Sequence, residues 1–235
     1  PASFATAHGS LGQMGTQKMN EEQPEFTLKA IILAAGIGSR IRPLTDDCPK
    51  CLLKVGGVTI LERMIANIQE CGINEFIFVL GYLDYRIERF VNETYPGLSA
   101  KFIVNHDYAK TNTGYSLMMT EHHSNVSGFV KFDADVVFDC AILRNLMACE
   151  YENALCIDRN IQLQAEEIKV VVSRENRVVR ASKQVDPAAA MGESIGIEKI
   201  GSTAAAKLFV ELGVMMSEPA NHQEYYEGAY ERLIE

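Results

Sequence analysis

The sequence predicts an α/β fold built on a doubly wound, mostly parallel sheet. Short apolar runs of strand length alternate with segments whose apolar residues recur at helical spacing. The connections between successive strands are long enough to hold a helix, as parallel pairing requires. With 235 residues, 47% of them hydrophobic, the chain can bury a substantial core.

The alternation is clearest in the first half of the chain. Helical spacing predicts helices that begin at Ile60 and end near Cys71-Gly72, and that run from Tyr85 to Asn92 and from Tyr115 to His123. The apolar runs predict strands at Lys29 to Ala34, Glu75 to Leu80, Lys101 to Asn105 and Val126 to Phe132. In such a sheet, ligands bind outside the carboxyl ends of the strands.

The second half departs from strict alternation. Two short strands, Glu167 to Val172 and Arg177 to Ala181, are expected to form a hairpin around Glu175-Asn176, which predicts a small β extension of the sheet. A further short strand is predicted at Ala154 to Ile157, and helices are predicted at Ser202 to Leu212 and Tyr225 to Ile234.

The domain organisation follows from the same patterns. Residues 1–25 show no periodicity, so we expect a tail there and one folded domain over residues 26–235. The net charge of −9 and the absence of a Lys/Arg-rich run argue against nucleic acid or an anionic membrane as a partner. No apolar stretch approaches membrane-spanning length and no secretory signal is evident, so a cytoplasmic protein without membrane insertion is expected.

The cysteines add little to this picture. Six cysteines at irregular spacing do not indicate a disulfide framework in a chain this long. Cys48 and Cys51 have the spacing of a redox motif, but no second close pair completes a zinc site.

The loop after the first strand has the features of a phosphate-binding turn. Gly36 and Gly38 allow backbone N–H groups to approach an anion. Arg40 adds forked donors that suit phosphate oxygens, and Lys50 adds a compact second cation. An ordinary strand-to-helix turn is the alternative, and the coincidence of all four residues in one loop weighs against it.

Two better-known glycine motifs do not fit this loop. The dinucleotide fingerprint needs a small residue where Ile41 stands, and the Walker loop needs Gly-Lys-Ser/Thr after Gly38. The anion site predicted here is therefore of another kind.

Two further segments follow predicted strands and carry polar groups. Asp133 and Asp135 stand where a hard cation bound to phosphates would need carboxylates, although acids also simply cap helices. Asn112 to Leu117 combines polar side chains with a glycine at a predicted helix start, which suits anions or base edges, and a plain capped helix is the alternative.

With the motifs Leu-Ala-Ala-Gly-x-Gly-Ser-Arg at 33–40 and Pro-Lys at 49–50, the chain resembles the nucleotidyltransferases that activate sugar phosphates and related phosphorylated alcohols. The resemblance implies a Rossmann-like fold whose β extension covers the acceptor site. It also implies that Arg40 binds the leaving pyrophosphate, Lys50 contacts the phosphates during transfer, and Asp135 binds Mg²⁺, with Asp133 at a more variable position. The nucleotide would be held by Leu33, Ala34, Ala35, Gly36, Gly38, Ser39 and Gly81.

The same resemblance gives a more specific expectation. The loop at Asn112, Thr113 and Gly114 would read the nucleobase, and its form is similar to the branch that uses CTP. Lys183 would bind the acceptor phosphate and Glu193 would lie on the acceptor side, although exposed residues without a role are the alternative there.

These features predict cytidylyl transfer. A phosphate or phosphonate oxygen of phosphocholine, aminoethylphosphonate or an inositol phosphate would attack the α-phosphorus of CTP and release pyrophosphate. A phosphomonoester with a second pKa of ~6 is already ionised at neutral pH, so no dedicated general base is needed. The expected partners are a nucleoside triphosphate and a small phosphorylated acceptor, and homo-oligomerisation stays open.

Two alternatives remain at this point. One is a nucleotidyltransferase that uses another NTP and a sugar 1-phosphate. The other is a nucleotide-binding or regulatory module of the same fold without turnover. The second is motivated by the resembling enzymes, which continue into a final strand with an acid that completes the metal site, whereas no such segment follows Glu235.

Overall fold

The computed structural model describes residues 5–6, 28–124 and 128–234. The predicted tail, residues 1–25, lies outside the described residues except for Ala5–Thr6. The helices are α1 Ile60–Glu70, α2 Asp84–Thr94, α3 Thr113–Met118, α4 Glu121–Ser124, α5 Cys140–Ala148, α6 Ser202–Met216 and α7 Glu227–Ile234. The strands are β1 Ala5–Thr6, β2 Lys29–Ala34, β3 Lys54–Val55, β4 Val58–Thr59, β5 Glu75–Leu80, β6 Ser99–Val104, β7 Phe129–Asp133, β8 Ala154–Asp158, β9 Lys169–Val172, β10 Val178–Ser182 and β11 Gly192–Ile200.

The main sheet is mostly parallel around its centre. Its strand order is β1-β8-β11-β7-β2-β5-β6, and β2 pairs in parallel with both β5 and β7. β11 is antiparallel to β7 and β8. The hairpin β9–β10 joins the sheet through β11, which confirms the predicted β extension. β3 and β4 form a separate two-stranded ribbon.

The sheet is covered on both faces, as a doubly wound fold requires. Alternate residues of β2 and β5 point to opposite sides. Ile31 and Leu33 pack with residues of α3, α6 and α7, whereas Ala30 and Ile32 pack with residues of α1, α2 and α5. These two apolar clusters fix the sheet on which the loops stand.

α1 illustrates how local signals set an element. Its apolar residues Leu61, Met64 and Ile68 are fully buried on one face. Thr59 caps its start by accepting a hydrogen bond from the Glu62 N–H at 3.1 Å, while the Glu62 carboxylate accepts one from the Thr59 N–H at 3.0 Å. This reciprocal capping box satisfies donors that a helix start leaves unpaired.

Most predicted elements are confirmed, but the helix α5 and the strands β3 and β4 were not predicted, and further details differ. The single helix predicted from Tyr115 to His123 is two short helices, because the chain turns at Thr120, whose hydroxyl donates to the Leu117 carbonyl at 2.8 Å. The strand β7 was predicted to begin at Val126, which lies outside the described residues. The long strand β11 was not predicted as a strand.

The sequence predicted neither a membrane-spanning segment nor a disulfide framework, and both points can be compared with the described part of the chain. None of its helices is long and apolar enough to cross a membrane. All six cysteines are free thiols, and of these Cys51 and Cys156 are buried.

Candidate functional site

The register of the parallel strands brings the distant motifs together. Leu33 of β2 pairs with Asp133 of β7, and the Ala134 N–H donates to the Leu33 carbonyl at 3.2 Å. The loop after β2 and the two aspartates therefore leave the same edge of the sheet side by side. They line one cavity of about 470 Å³.

The loop after β2 is shaped by its glycines. Gly38 has φ of +69°, which a residue with a side chain rarely adopts, and a Cβ there would lie 3.0 Å from Thr45 Cγ2. The buried Thr45 side chain fixes this turn by donating to the Gly38 carbonyl at 2.9 Å. Gly36 faces open space, so a ligand can reach the backbone there.

Two cations follow the glycines. Arg40 lies in a short 3₁₀ turn, Ser39–Ile41, and its exposed side chain lines the cavity. Lys50 begins a second 3₁₀ turn, and its ammonium contacts the Asp135 carboxylate, which lies 85 residues later in the chain. Because the Lys50 side chain is 35% exposed and that of Asp135 is 41% exposed, a ligand in the cavity can reach both.

Asp133 and Asp135 have different surroundings. Asp133 ends β7, and its two carboxylate oxygens are both engaged: Oδ1 accepts from Lys131 Nζ at 3.1 Å and Oδ2 accepts from the Tyr226 hydroxyl at 3.2 Å. Gly196 packs directly on it, since a Cβ there would lie 2.3 Å from Asp133 Oδ2. The position of the Asp133 carboxylate is therefore fixed by its protein partners, and Asp135 is the carboxylate more accessible to a ligand in the cavity.

The predicted nucleobase loop contributes to the lining of the same cavity as Lys50. Asn112 caps α3, with its side-chain oxygen accepting from the Thr113 N–H at 2.9 Å. Beneath it, the buried Asn105 side chain donates to Thr111 Oγ1 at 2.9 Å and to Ser116 Oγ at 3.2 Å. Asn112 and Thr113 line the cavity.

Three predicted site residues do not line the cavity: Ser39, Gly81 and Gly114. Gly81 is needed for close packing, because a Cβ there would lie 2.6 Å from Tyr108 Cβ and 2.7 Å from the Ala35 carbonyl. Gly114 packs in the same way, with the Glu224 carbonyl 2.8 Å from a built Cβ. Both glycines support the walls of the site, since they let neighbouring segments approach.

The predicted acceptor residues Lys183 and Glu193 also line the cavity. Lys183 Nζ donates to Glu166 Oε2 and to the Tyr225 hydroxyl, both at 3.2 Å, and lies 4.6 Å from the Tyr225 ring centre. Burial acts to lower the pKa of Lys183, but the bonds to Tyr225 and Glu166 raise it overall. Burial, with the nearby acids Glu167 and Asp158, raises the pKa of Glu193.

A buried charged cluster next to the cavity was not predicted from the sequence. Lys131 and Glu198 form an ion pair at 2.7 Å, and the Lys131 ammonium also contacts the Tyr226 hydroxyl. Burial raises the pKa of Glu198 to about 7, against the opposing effect of Lys131, and raises that of Glu227 to about 8. The only signal in the sequence was a lysine inside an otherwise apolar strand.

The donor set of the site fits Mg²⁺. Within the described residues no group of three Asp, Glu, His or Cys side chains is placed to hold a metal. Mg²⁺ commonly uses one or two carboxylates together with water and substrate phosphates. Asp135 lines the cavity with 41% of its side chain exposed and could serve in this way, whereas both oxygens of Asp133 already accept hydrogen bonds.

The chain is similar in sequence to several known proteins. Relatives include the choline-phosphate cytidylyltransferase of Streptococcus pneumoniae, 38% identical over 94 residues (40% of this chain, 39% of that protein). The CTP:phosphoglutamine cytidylyltransferase of Campylobacter jejuni is 31% identical over 138 residues (57% and 53%). The alignments span between 24% and 53% of the length of such curated relatives.

Solved structures and a family model complete the comparison. The inositol-1-phosphate CTP transferase from T. maritima has a TM-score of 0.71 at 20% identity, over 89% of this chain and 82% of that one. This likeness confirms the nucleotidyltransferase fold. The model of the MobA-like NTP transferase domain matches residues 30–165, more than half of the chain. The chain therefore belongs to the family of MobA-like NTP transferase domains.

Proposed function

We propose that the protein transfers a cytidylyl group from CTP to a phosphate- or phosphonate-bearing acceptor and releases pyrophosphate. The observation that carries the proposal is the direct contact between Lys50 and Asp135 in the cavity that the glycine loop and Arg40 also line. A cation and a metal-binding carboxylate placed together suit a ligand that brings both phosphates and Mg²⁺.

The chemistry needs little beyond alignment and charge. The acceptor oxygen is already ionised, so the site does not have to remove a proton from it. The loop from Leu33 to Gly38 would hold the nucleotide, and Arg40 and Lys50 would stabilise charge as pyrophosphate leaves. Mg²⁺, held by Asp135 with Asp133 beside it, would supply further neutralisation of the phosphate oxygens.

CTP is the nucleotide that the observations favour. The cytidylyltransferases among the relatives include enzymes that act on choline phosphate and phosphoglutamine. Asn112 and Thr113 line the cavity, where their polar groups would contact a base edge. A uridylyltransferase of Haloferax volcanii, 30% identical over 96 residues, makes UTP the second candidate.

The acceptor site is proposed at the wall formed by Lys183, Glu193 and Tyr225. Lys183 would bind the acceptor phosphate, since it is a cation that lines the cavity with 29% of its side chain exposed. Its present partner, Glu166, is largely exposed and can be displaced by a phosphate.

A pyrophosphate-release screen tests the proposal. CTP, UTP, GTP and ATP are each combined with phosphocholine, aminoethylphosphonate, inositol phosphate and a sugar 1-phosphate in the presence of Mg²⁺. We expect release with CTP and at least one phosphocholine-class acceptor. Release with UTP and a sugar 1-phosphate alone would replace CTP in the proposal. CTP binding without release under any combination would favour a regulatory module.

A further inference from the structure

The buried cluster next to the cavity joins three separate parts of the chain. The ammonium of Lys131 on β7 contacts Asp133 at 3.1 Å and Glu198 on β11 at 2.7 Å. It also contacts the hydroxyl of Tyr226 and lies 3.8 Å from the centre of its ring. Because a buried ammonium is tolerated only where its charge is compensated, these contacts fix the position of each partner.

The segment 222–227, which contains Tyr226, also holds the predicted nucleobase loop. The Asn112 N–H donates to the His222 carbonyl at 2.8 Å, and the Gly114 N–H donates to the Glu224 carbonyl at 3.3 Å. The Asn112 side chain donates to the Gln223 carbonyl at 3.1 Å. One short segment therefore supports the loop through its backbone and contacts Asp133 through a side chain.

We propose that Tyr226, held by Lys131, is a positioning residue that couples the Asn112–Gly114 loop to the carboxylate of Asp133. The Tyr226 hydroxyl donates to Asp133 Oδ2, and Lys131 Nζ donates to Asp133 Oδ1. The Asp133 carboxylate therefore cannot rotate without breaking these hydrogen bonds. The Tyr226 N–H lies 3.4 Å from Thr113 Oγ1, which places the same residue against the loop. The effect on turnover rests on the proposed function, whereas the coupling itself does not.

Tyr226→Phe tests the coupling with a minimal change, because it removes the hydroxyl and keeps the ring. Hydrogen–deuterium exchange of the peptide that covers residues 110–118 is measured without substrate, together with kcat and KM for CTP. We expect faster exchange in that peptide and a kcat/KM lower by ~10–100-fold, as is typical when a partner that orients a functional carboxylate is lost.

Lys199→Met is the matched control for lost stability. Lys199 is a buried lysine on the same strand as Glu198, but its ammonium donates to the Cys149 carbonyl at 2.8 Å and it does not line the cavity. At a similar loss of thermal stability, this variant should leave both the 110–118 exchange and kcat/KM as in the parent.

Two results would overturn the coupling. One is unchanged exchange over residues 110–118 in Tyr226→Phe, and the other is an equal change in Lys199→Met, which would reduce the effect to general stability. If the parent releases no pyrophosphate, the proposed function fails, and the exchange comparison still decides the coupling because it needs no turnover.

Discussion

At the scale of single residues, the site separates charges that face a ligand from charges that hold the structure. Arg40, Lys50 and Asp135 line the cavity and keep part of their surface open. Lys131 and Glu198 are almost completely buried, and they compensate each other. Substitutions in the first group should lower activity. Substitutions in the second group should lower activity and also lower stability.

Arg40→Ala should lower turnover by ~10²–10³-fold while the thermal midpoint stays close to that of the parent, since one charged contact to the leaving group is lost. Arg42→Ala is the control, because Arg42 is an exposed neighbour that pairs with Asp46 at 3.3 Å and does not line the cavity. Steady-state kinetics at saturating CTP compare the two variants. Near-normal turnover of Arg40→Ala would show that this arginine does not stabilise the transfer.

Asp135→Asn should reduce Mg²⁺-dependent pyrophosphate release by at least ~10²-fold with little change in thermal midpoint, because the amide keeps the shape and loses the charge that holds the cation. Asp133→Asn should retain more activity and lose more stability, since it weakens the compensation of the buried Lys131. Kinetics and thermal unfolding of both variants check this. An inactive Asp133→Asn beside an active Asp135→Asn would mean that the two roles are reversed.

At the scale of elements, the loop after β2 is built so that backbone can approach a ligand. Gly36 faces open space and its φ is not positive, so alanine fits there without strain in the absence of ligand. The added methyl group would nevertheless occupy the space through which phosphates reach the N–H groups. Stability and binding should therefore respond in opposite ways.

Gly36→Ala should keep or slightly raise stability, by ~0.4–1 kcal/mol from reduced freedom of the unfolded chain, and should weaken CTP binding. Gly97→Ala is the matched control, because Gly97 also has open space around it but lies in the turn before β6, away from the cavity. Calorimetric titration with CTP and thermal unfolding measure both effects. Equal CTP affinity in the two variants would argue against phosphate binding by this loop.

Elements were predictable where one local pattern decides them. β5 runs from Glu75 to Leu80 as predicted, because a short uninterrupted apolar run that ends at Gly81 favours a strand buried inside the sheet. β11 escaped prediction because Gly196 has φ of +75° and the pairing register with β8 shifts between Ser194 and Glu198, which breaks the alternation. Such an irregular strand is stabilised by its neighbours and leaves no local signal.

The site follows the same rule. The glycine loop is one contiguous segment of the sequence, and so is the Asp133–Asp135 pair. The chemistry of each could therefore be inferred before the fold was known. The buried cluster could not, because Lys131, Glu198 and Tyr226 come from three distant segments. Only the tertiary structure shows that their charges compensate each other. The functional roles of all these residues remain predictions.

At the scale of the whole molecule, the buried cluster links stability to pH. Burial, together with Asp133 and Glu198, raises the pKa of Glu227 from 4.5 to about 8, although Lys131 opposes the shift. Between these two pH values the folded protein keeps a proton that the unfolded chain has lost. Stability should therefore fall as the pH rises from about 5 to 8.

Glu227→Gln should flatten this dependence, because the amide resembles the protonated acid and does not ionise. The parent is expected to lose on the order of a few kcal/mol across the interval through this group. Thermal unfolding at pH 5, 6, 7 and 8 compares the two proteins. Parallel pH profiles would show that Glu227 does not titrate with the raised pKa.

The most direct test of the central claim follows the atoms of the transfer. The protein is incubated with Mg²⁺, CTP and an acceptor whose phosphate or phosphonate oxygens carry ¹⁸O, and the products are analysed by mass spectrometry. Attack of the acceptor on the α-phosphorus predicts a CMP–acceptor conjugate that retains the ¹⁸O in its bridge, with unlabelled pyrophosphate in equal amount. Free CMP without a conjugate, or cleavage of CTP to CDP, would contradict nucleotidyl transfer by this site.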